Sequence, residues 1–453
     1  MSKSSAPKSP ASRSSAPRSS APRSLAEWLH HLETLHPVGI DMRLERVSEV
    51  AKRMGLLNRP IATQVITVAG TNGKGSTLAM MDAVARAHGL RVGTYTSPHL
   101  VRYNERVTIN GDDADDQQLV TGFSRVEDAR LQLPVVSLTY FEAGTLCALW
   151  CLAQENLDLA LLEVGLGGRL DAVNIIDADV AIVTTIAQDH ANFLGTDIMQ
   201  IGREKAGVFR AGKPAVLGSR CLPVSVAESA NAINAPVYCL GEAFSHSVAD
   251  DAANPLCGNT QPEWNWSGLT CQADVISLTN LPDPGLPIDN AAAALQALIL
   301  SGMAVNEDAC RRALNKVLVP GRMQWIGQWC LDVGHNPHAA AYVAKRLPCV
   351  PEGGRQWALI GMLNDKDADG VISALLPRIT DWVCVTLEGE RGRSAAELAS
   401  RITSLGGHVH HCASSPEAGV QTMAEQLAPT DRVLVTGSFY TVAALLEMTL
   451  PQA

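Results

Sequence analysis

The sequence predicts an α/β protein of two units, a larger N-terminal one on a mostly parallel sheet and a smaller α/β one at the C-terminus. Three observations carry that reading. At 453 residues the chain exceeds one ordinary domain. In its first part, short apolar strands alternate with helical stretches, as a parallel sheet covered on both faces requires. After Pro320 the same alternation restarts.

Composition supports two cores and narrows the partners. Hydrophobic residues make up 46% and charged residues 18%, ordinary globular proportions. Aromatics are only 4%, which argues against stacking platforms for single-stranded nucleic acid. Net charge is −10, and residues 1–24 hold Lys3, Lys8, Arg13, Arg18 and Arg23 with no acid, so the remainder holds −15. An acidic body repels a polyphosphate backbone, so no nucleic-acid partner is expected. Anionic substrates must then be held by local cations or metal. The 11 cysteines include no C-x-x-C pair, and Cys147 and Cys151, one helical turn apart, read as buried thiols. Neither a secretory apolar core nor a membrane-length apolar run stands out, so a cytoplasmic protein without membrane partners is expected.

Along the chain, residues 1–24 repeat Ser-Ser-Ala-Pro three times among basic residues and read as a disordered tail. The strand 65–68 runs into Gly70-Thr71-Asn72-Gly73-Lys74-Gly75-Ser76-Thr77, and a helical stretch follows to His88, closed by Gly89. Buried strands are predicted at 159–164 and 180–186. Residues 241–287, rich in Pro, Asn and Gly, read as loop with short strands, and 291–300 as an alanine-rich helix. The second unit has strands at 330–333, 358–360, 383–387 and 433–436, with helices at 339–347 and 395–402. The expected division is therefore tail 1–24, domain 25–319 and domain 320–453.

A strand that ends in a glycine-rich turn and opens into a helix is an anion site, because backbone N–H groups converge at a positive helix end. Lys74 supplies a mobile charge for outer phosphates, and Ser76 or Thr77 can orient metal or water. The spacing departs from G-x-x-x-x-G-K-[ST]: Val68 stands where the first glycine belongs, and Gly75 separates Lys74 from Ser76. The larger domain thus reads as P-loop ATPase-like, with nucleotide phosphates expected at Thr71, Asn72, Gly73, Lys74, Gly75 and Ser76.

Other residues allow two readings each. Glu163 lies near the C-terminal end of an apolar strand, where a carboxylate needs a cation; Mg²⁺ is one answer and a salt bridge to Arg169 the other. Lys205 sits in a helical Arg-Glu-Lys-Ala-Gly stretch and, on sequence physics alone, is a solvated surface lysine. Phe141 offers a flat face for a ring, yet core packing explains it as well. His408, His410 and His411 suggest a metal, but without partners they read as a solvated loop or strand end.

The form Gly70-Thr-Asn-Gly-Lys-Gly75 resembles the variant phosphate loop of the Mur-ligase superfamily. Six further segments resemble its dihydrofolate synthase/folylpolyglutamate synthase branch: Thr96-Ser-Pro-His-Leu100, Leu161-Leu-Glu-Val-Gly-Leu-Gly-Gly-Arg-Leu-Asp171, Gln188-Asp-His190, Gly202-Arg-Glu-Lys-Ala-Gly207, Pro320-Gly-Arg322 and Asp332-Val-Gly-His-Asn-Pro-His338. Their order extends the resemblance over about residues 25–450. It implies an ATP- and Mg²⁺-dependent ligase that joins L-glutamate to dihydropteroate and to reduced folates through an acyl phosphate. It also implies a monomer.

Site residues carry over by position. The resemblance implies a metal set of Ser97, Glu163 and His190, with Lys74, His190 and a carbamylated Lys205 in catalysis. Asn290 would meet the adenine end, Arg322 the nucleotide at a hinge, and Asp332 the ribose; a hinge salt bridge is the plain alternative for Arg322. The pterin stretches are Asp41, Met42, Arg43 and Leu44; Thr139, Tyr140, Phe141 and Glu142; and Leu170, Asp171 and Ala172. Asp41 or Asp171 would accept hydrogen bonds from an aminopterin edge. Arg43 departs from the small residue expected there. The rivals are a monofunctional folylpolyglutamate synthase, a cell-wall precursor ligase and, from another class, a P-loop nucleotide switch.

Overall fold

The structure, a computed structural model, describes residues 24–36, 41–248 and 263–450. The tail expected over 1–24 lies outside them except for Ser24. That serine caps the helix Leu25–Glu33 by a reciprocal box with Glu27.

The larger sheet has eight strands. Their spatial order is Asp112–Asp113, Val107–Ile109, Val92–Tyr95, Leu159–Glu163, Gln64–Ala69, Val180–Val183, Ala215–Leu217 and Val237–Cys239. The last six run parallel, and the first two form an antiparallel edge. Leu159–Glu163 and Val180–Val183 are buried throughout, which is why they read as unbroken apolar runs rather than alternating ones. One face is covered by helices Lys74–Ala87 and Ile288–Leu300, the other by Leu25–Glu33, Glu45–Arg53, Asp116–Arg130 and Tyr140–Leu152.

Between residues 241 and 287 the described part has the short strands expected there, and they pair into a sheet of their own. Phe244–Val248, Glu263–Leu269 and Val275–Pro282 form an antiparallel sheet with Glu263–Leu269 in the middle. Trp264 and Trp266 alternate inward on that strand and anchor it to the helix Ile288–Leu300, Trp266 Nε1 donating to Ala292 O at 3.1 Å. The signal was a period of two within a few residues, hidden among turn formers.

The smaller sheet has six strands in the order Gln324–Ile326, Trp329–Leu331, Arg432–Thr436, Gln356–Ile360, Asp381–Val385 and Val409–Ala413. All but the first are parallel, and helices lie on both faces. His410 and His411 belong to its exposed edge strand. Among the described residues, no helix is long and apolar enough to cross a membrane.

Candidate active site

The phosphate loop is shaped by what lies behind it. Gly73 is left-handed (φ +87°), and a Cβ there would lie 2.6 Å from Asn290 Nδ2, so only glycine lets the loop close on the helix Ile288–Leu300. A Cβ on Gly70 would run into Thr184 Oγ1. The strand expected to 186 stops at Val183 because Thr184 and Thr185 turn to bind the loop. Thr185 takes the Thr71 and Asn72 N–H groups at 2.7 and 3.0 Å, and Thr184 Oγ1 donates to Asn72 O at 2.7 Å. Asn290, expected at an adenine end, is buried behind the loop and donates to Ser76 Oγ at 2.9 Å. The first-turn N–H groups of Lys74, Gly75 and Ser76 are left as the donors a helix start lacks acceptors for.

Lys74 Nζ donates to Gly70 O at 3.2 Å and stands 4.0 Å from Glu163 Oε1. Glu163, only 6% exposed, ends its strand and accepts the Ser97 N–H at 3.2 Å. Burial raises its pKa, against the pull of Lys74, the Ser97 N–H, Arg322 and Arg106. The alternative pairing with Arg169 is not made: Arg169 bonds Glu204 at 2.9 Å. His190 lines the same cleft, and desolvation together with Lys366, His335 and Lys74 lowers its pKa to about 4. Ser97, Glu163 and His190 all line the cleft, and a hydroxyl, a carboxylate and a neutral imidazole suit a divalent cation that draws its remaining ligands from nucleotide and water. Among the described residues, no three His, Cys, Asp or Glu side chains form a metal cage of their own.

Lys205 corrects the surface reading. It is 5% exposed, and its Nζ donates to Gly70 O at 3.0 Å. Its helix, Ile198–Ala206, packs beneath the phosphate loop rather than facing water, which helical spacing alone does not reveal. Burial, reinforced by the Lys74 charge, lowers its pKa to about 7. Much of it is then a neutral amine near neutrality.

The smaller domain closes the other side of a cleft of about 410 Å³. Arg322 lies over the Phe439 ring at 5.6 Å, and among the described residues it makes no hinge salt bridge. Asp332 is buried and spends both oxygens on backbone, accepting Met323 N–H at 3.0 Å and Gly334 N–H at 2.8 Å, so it braces the turn 321–323. Asn72 and Asn336 exchange side-chain amide bonds of 3.1 and 2.9 Å across the domains. The lining includes Lys74, Arg106, Lys205, Arg322, Lys366 and Arg391 against Glu163 and Asp189, a cationic cleft in an acidic protein.

The pterin stretches divide. A Cβ on Gly165 would meet Phe141 Cζ at 2.5 Å, and one on Gly167 would meet Met42 Cε at 3.2 Å and Leu194 Cδ2 at 3.3 Å. These side chains therefore gather at the Gly165–Leu166 end of the cleft. Tyr140 lies beside Arg106, 5.8 Å from ring centre to guanidinium. Thr139 and Glu142 form the capping box of the helix Tyr140–Leu152, and Glu142 also accepts Arg46 at 2.8 Å. Arg43 and Arg46 bond Asp41 at 2.9 and 2.6 Å and hold it well below the usual carboxylate range, while Arg43 itself stays exposed. Asp171 accepts Leu166 and Val173 N–H groups at 2.8 and 3.0 Å, and burial pushes it up to about 6. Leu44 packs against the core, Leu170 is half-buried and Ala172 is core.

Two family models match, the Mur ligase middle domain over residues 68–219 and the Mur ligase glutamate ligase domain over 321–439. The dihydrofolate synthase/folylpolyglutamate synthase of Escherichia coli (strain K12) is 45% identical over 427 residues, spanning 94% of this chain and 95% of its own length. The chain belongs to the dihydrofolate synthase/folylpolyglutamate synthase family of Mur ligases.

Solved structures share the whole architecture. E. coli FolC in complex with DHPP and ADP superposes with a TM-score of 0.86 at 43% identity, covering 95% of this chain and 98% of that one. A bifunctional folylpolyglutamate synthase/dihydrofolate synthase with Mn, AMPPNP and L-glutamate bound gives 0.83 at 43% identity, covering 94% and 98%. Against this family frame, residue-by-residue reading missed Asp189, Lys366, Asn336 and Arg106, all at the cleft or its domain junction. Asp189 and Asn336 stood inside quoted segments; nothing in the sequence marked Lys366.

Proposed function

We propose that this chain uses ATP to ligate L-glutamate to dihydropteroate, giving dihydrofolate, and to the γ-carboxylate of tetrahydrofolate, giving polyglutamates. The observation that carries the reading is Glu163 and Lys74 facing each other at 4.0 Å beside an open helix start, in a cleft both domains line. The family membership supports both activities. The lining Asp189–Lys366 and His335 contacts from a second domain favour a ligase over a simple nucleotide switch.

Lys74 and the first-turn N–H groups bind the outer phosphates. Ser97, Glu163 and His190 would hold Mg²⁺, which when bound neutralises charge on the transferring phosphoryl group. Arg322 meets the nucleotide, and Arg106, which also lines the cleft, draws the folate carboxylate toward the γ-phosphorus; its oxygen forms the new P–O bond and ADP leaves. The glutamate amine then attacks the acyl phosphate, and the tetrahedral adduct collapses to the amide with loss of phosphate. Holding both reactants contributes up to about 7–11 kcal/mol in favourable cases. The smaller domain, hinged at 320–322, excludes water from the acyl phosphate. Lys205, lowered to about 7, offers a neutral amine whose nitrogen bonds the carbon of CO₂ and gives up a proton to solvent, leaving an anionic carbamate.

The protein is further read as a cytoplasmic monomer acting on small molecules, without nucleic-acid or membrane partners. ADP release with MgATP and glutamate, comparing dihydropteroate, tetrahydrofolate and no pterin, tests the function. Release with both pterins is expected. Release with tetrahydrofolate alone would reduce the protein to chain extension, and pterin-independent hydrolysis unaffected by glutamate would overturn the ligase reading.

A further inference from the structure

Asp189 has no role in the steps above. It follows the strand Val180–Val183, next to His190, and its carboxylate crosses the domain junction. Oδ1 accepts Lys366 Nζ at 2.6 Å, and Oδ2 lies 3.3 Å from His335 Nε2. Both partners stand in loops after parallel strands of the smaller domain, Lys366 after Gln356–Ile360 and His335 after Trp329–Leu331. That is the edge where such sheets present ligands.

Each partner is itself held in place. His335 Nδ1 lies 3.0 Å from Val333 O. Buried Arg393 cages the Lys366 loop, its Nη2 donating to Leu363 O, Asn364 O and Lys366 O at 3.4, 3.0 and 3.2 Å. The Asp189 and Lys366 side chains are only 11% and 8% exposed. Such a pair differs from a loose surface contact: removing one partner leaves a desolvated charge without compensation. The junction has other polar ties, Asn72–Asn336 at the phosphate loop and Arg346–Asp283 at 2.7 Å. Of these ties, the one through Asp189 fixes two cationic or protonatable side chains that line the cleft.

We infer that Asp189 is a positioning residue for amide formation: it locks Lys366 and His335, both in the stretch matched by the glutamate ligase domain, against the cleft so that these two side chains receive the anionic amino acid. Asp189 also accepts the neighbouring His190 N–H at 2.8 Å, a bond that Lys366→Met leaves in place, so that variant separates the two substrates most cleanly. The inference rests on the ligase reading.

The test compares wild type, Asp189→Asn, Lys366→Met and the conservative Asp189→Glu. Glutamate-dependent ADP release is measured with glutamate and MgATP varied in turn. Asp189→Asn and Lys366→Met are expected to raise KM for glutamate by about tenfold or more, with KM for MgATP within about twofold of wild type. The conservative Asp189→Glu, which keeps the carboxylate, should retain most of the glutamate KM. Equal losses on both substrates, or none on either, overturn the inference. Should Asp189→Asn fail to fold, Lys366→Met makes the same comparison from the other domain. Wild type without glutamate-dependent release would sink the ligase reading instead. Small-angle scattering with ADP then still decides the lock, because equal compactness of variant and wild type refutes it.

Discussion

Replacing Lys205 by Met should stabilise the protein while abolishing ligation. Moving a lysine from 10.5 to about 7 corresponds to about 5 kcal/mol, the excess cost of a buried ammonium. Met fills a similar volume but forfeits the 3.0 Å bond to Gly70 O. That loss is about 1–1.5 kcal/mol, so at most about 3–4 kcal/mol of gain remains. The sign depends on pH. Below the folded value of about 7, both folded and unfolded chains carry the proton, and wild type bears the whole burial cost. Between about 7 and 10.5 the folded lysine is neutral while the unfolded one stays charged, so wild-type stability climbs with pH. Thermal unfolding in CO₂-free buffer is the assay. The variant should melt several degrees higher at about pH 6, and the two should nearly coincide at about pH 9.5, where only about 1.4 kcal/mol of the cost remains. An equal difference at both pH values, or a variant that melts lower at about pH 6, would refute the reasoning.

Three further perturbations probe the same site. Glu163→Gln removes the buried carboxylate whose burial is already unfavourable, so kcat/KM should fall by about 100-fold or more while the melting temperature holds or rises. Gly73→Ala meets Asn290 Nδ2 at 2.6 Å in a left-handed backbone and should cost about 1–3 kcal/mol with a sharp loss of ATP affinity by calorimetry. Trp266→Ala empties the anchor of the helix that carries Asn290, so unfolding should show a loss of about 3–5 kcal/mol accompanied by a raised KM for ATP.

What the sequence by itself determined was local. A strand running into glycines, a lysine and a helix has few alternatives, and Glu163 at the end of an apolar strand needs a cation wherever that strand packs. Buried parallel strands were legible for the same reason, since burial on both faces writes unbroken apolar runs. The tertiary structure decided which polar side chains remain available. Asp171, Asp332, Thr139 and Glu142 bond within the protein, largely to backbone N–H groups, while Asn290 turns behind the loop. Lys205 looked like a solvated helix residue until the packing of Ile198–Ala206 buried it. The Asp189–Lys366 pair joins residues 177 positions apart, and no local pattern encodes a partner at that distance. Spacing along the chain reports what a residue's own element needs. Burial and ionisation depend on what other elements bring to it, and that is settled only when the domains pack.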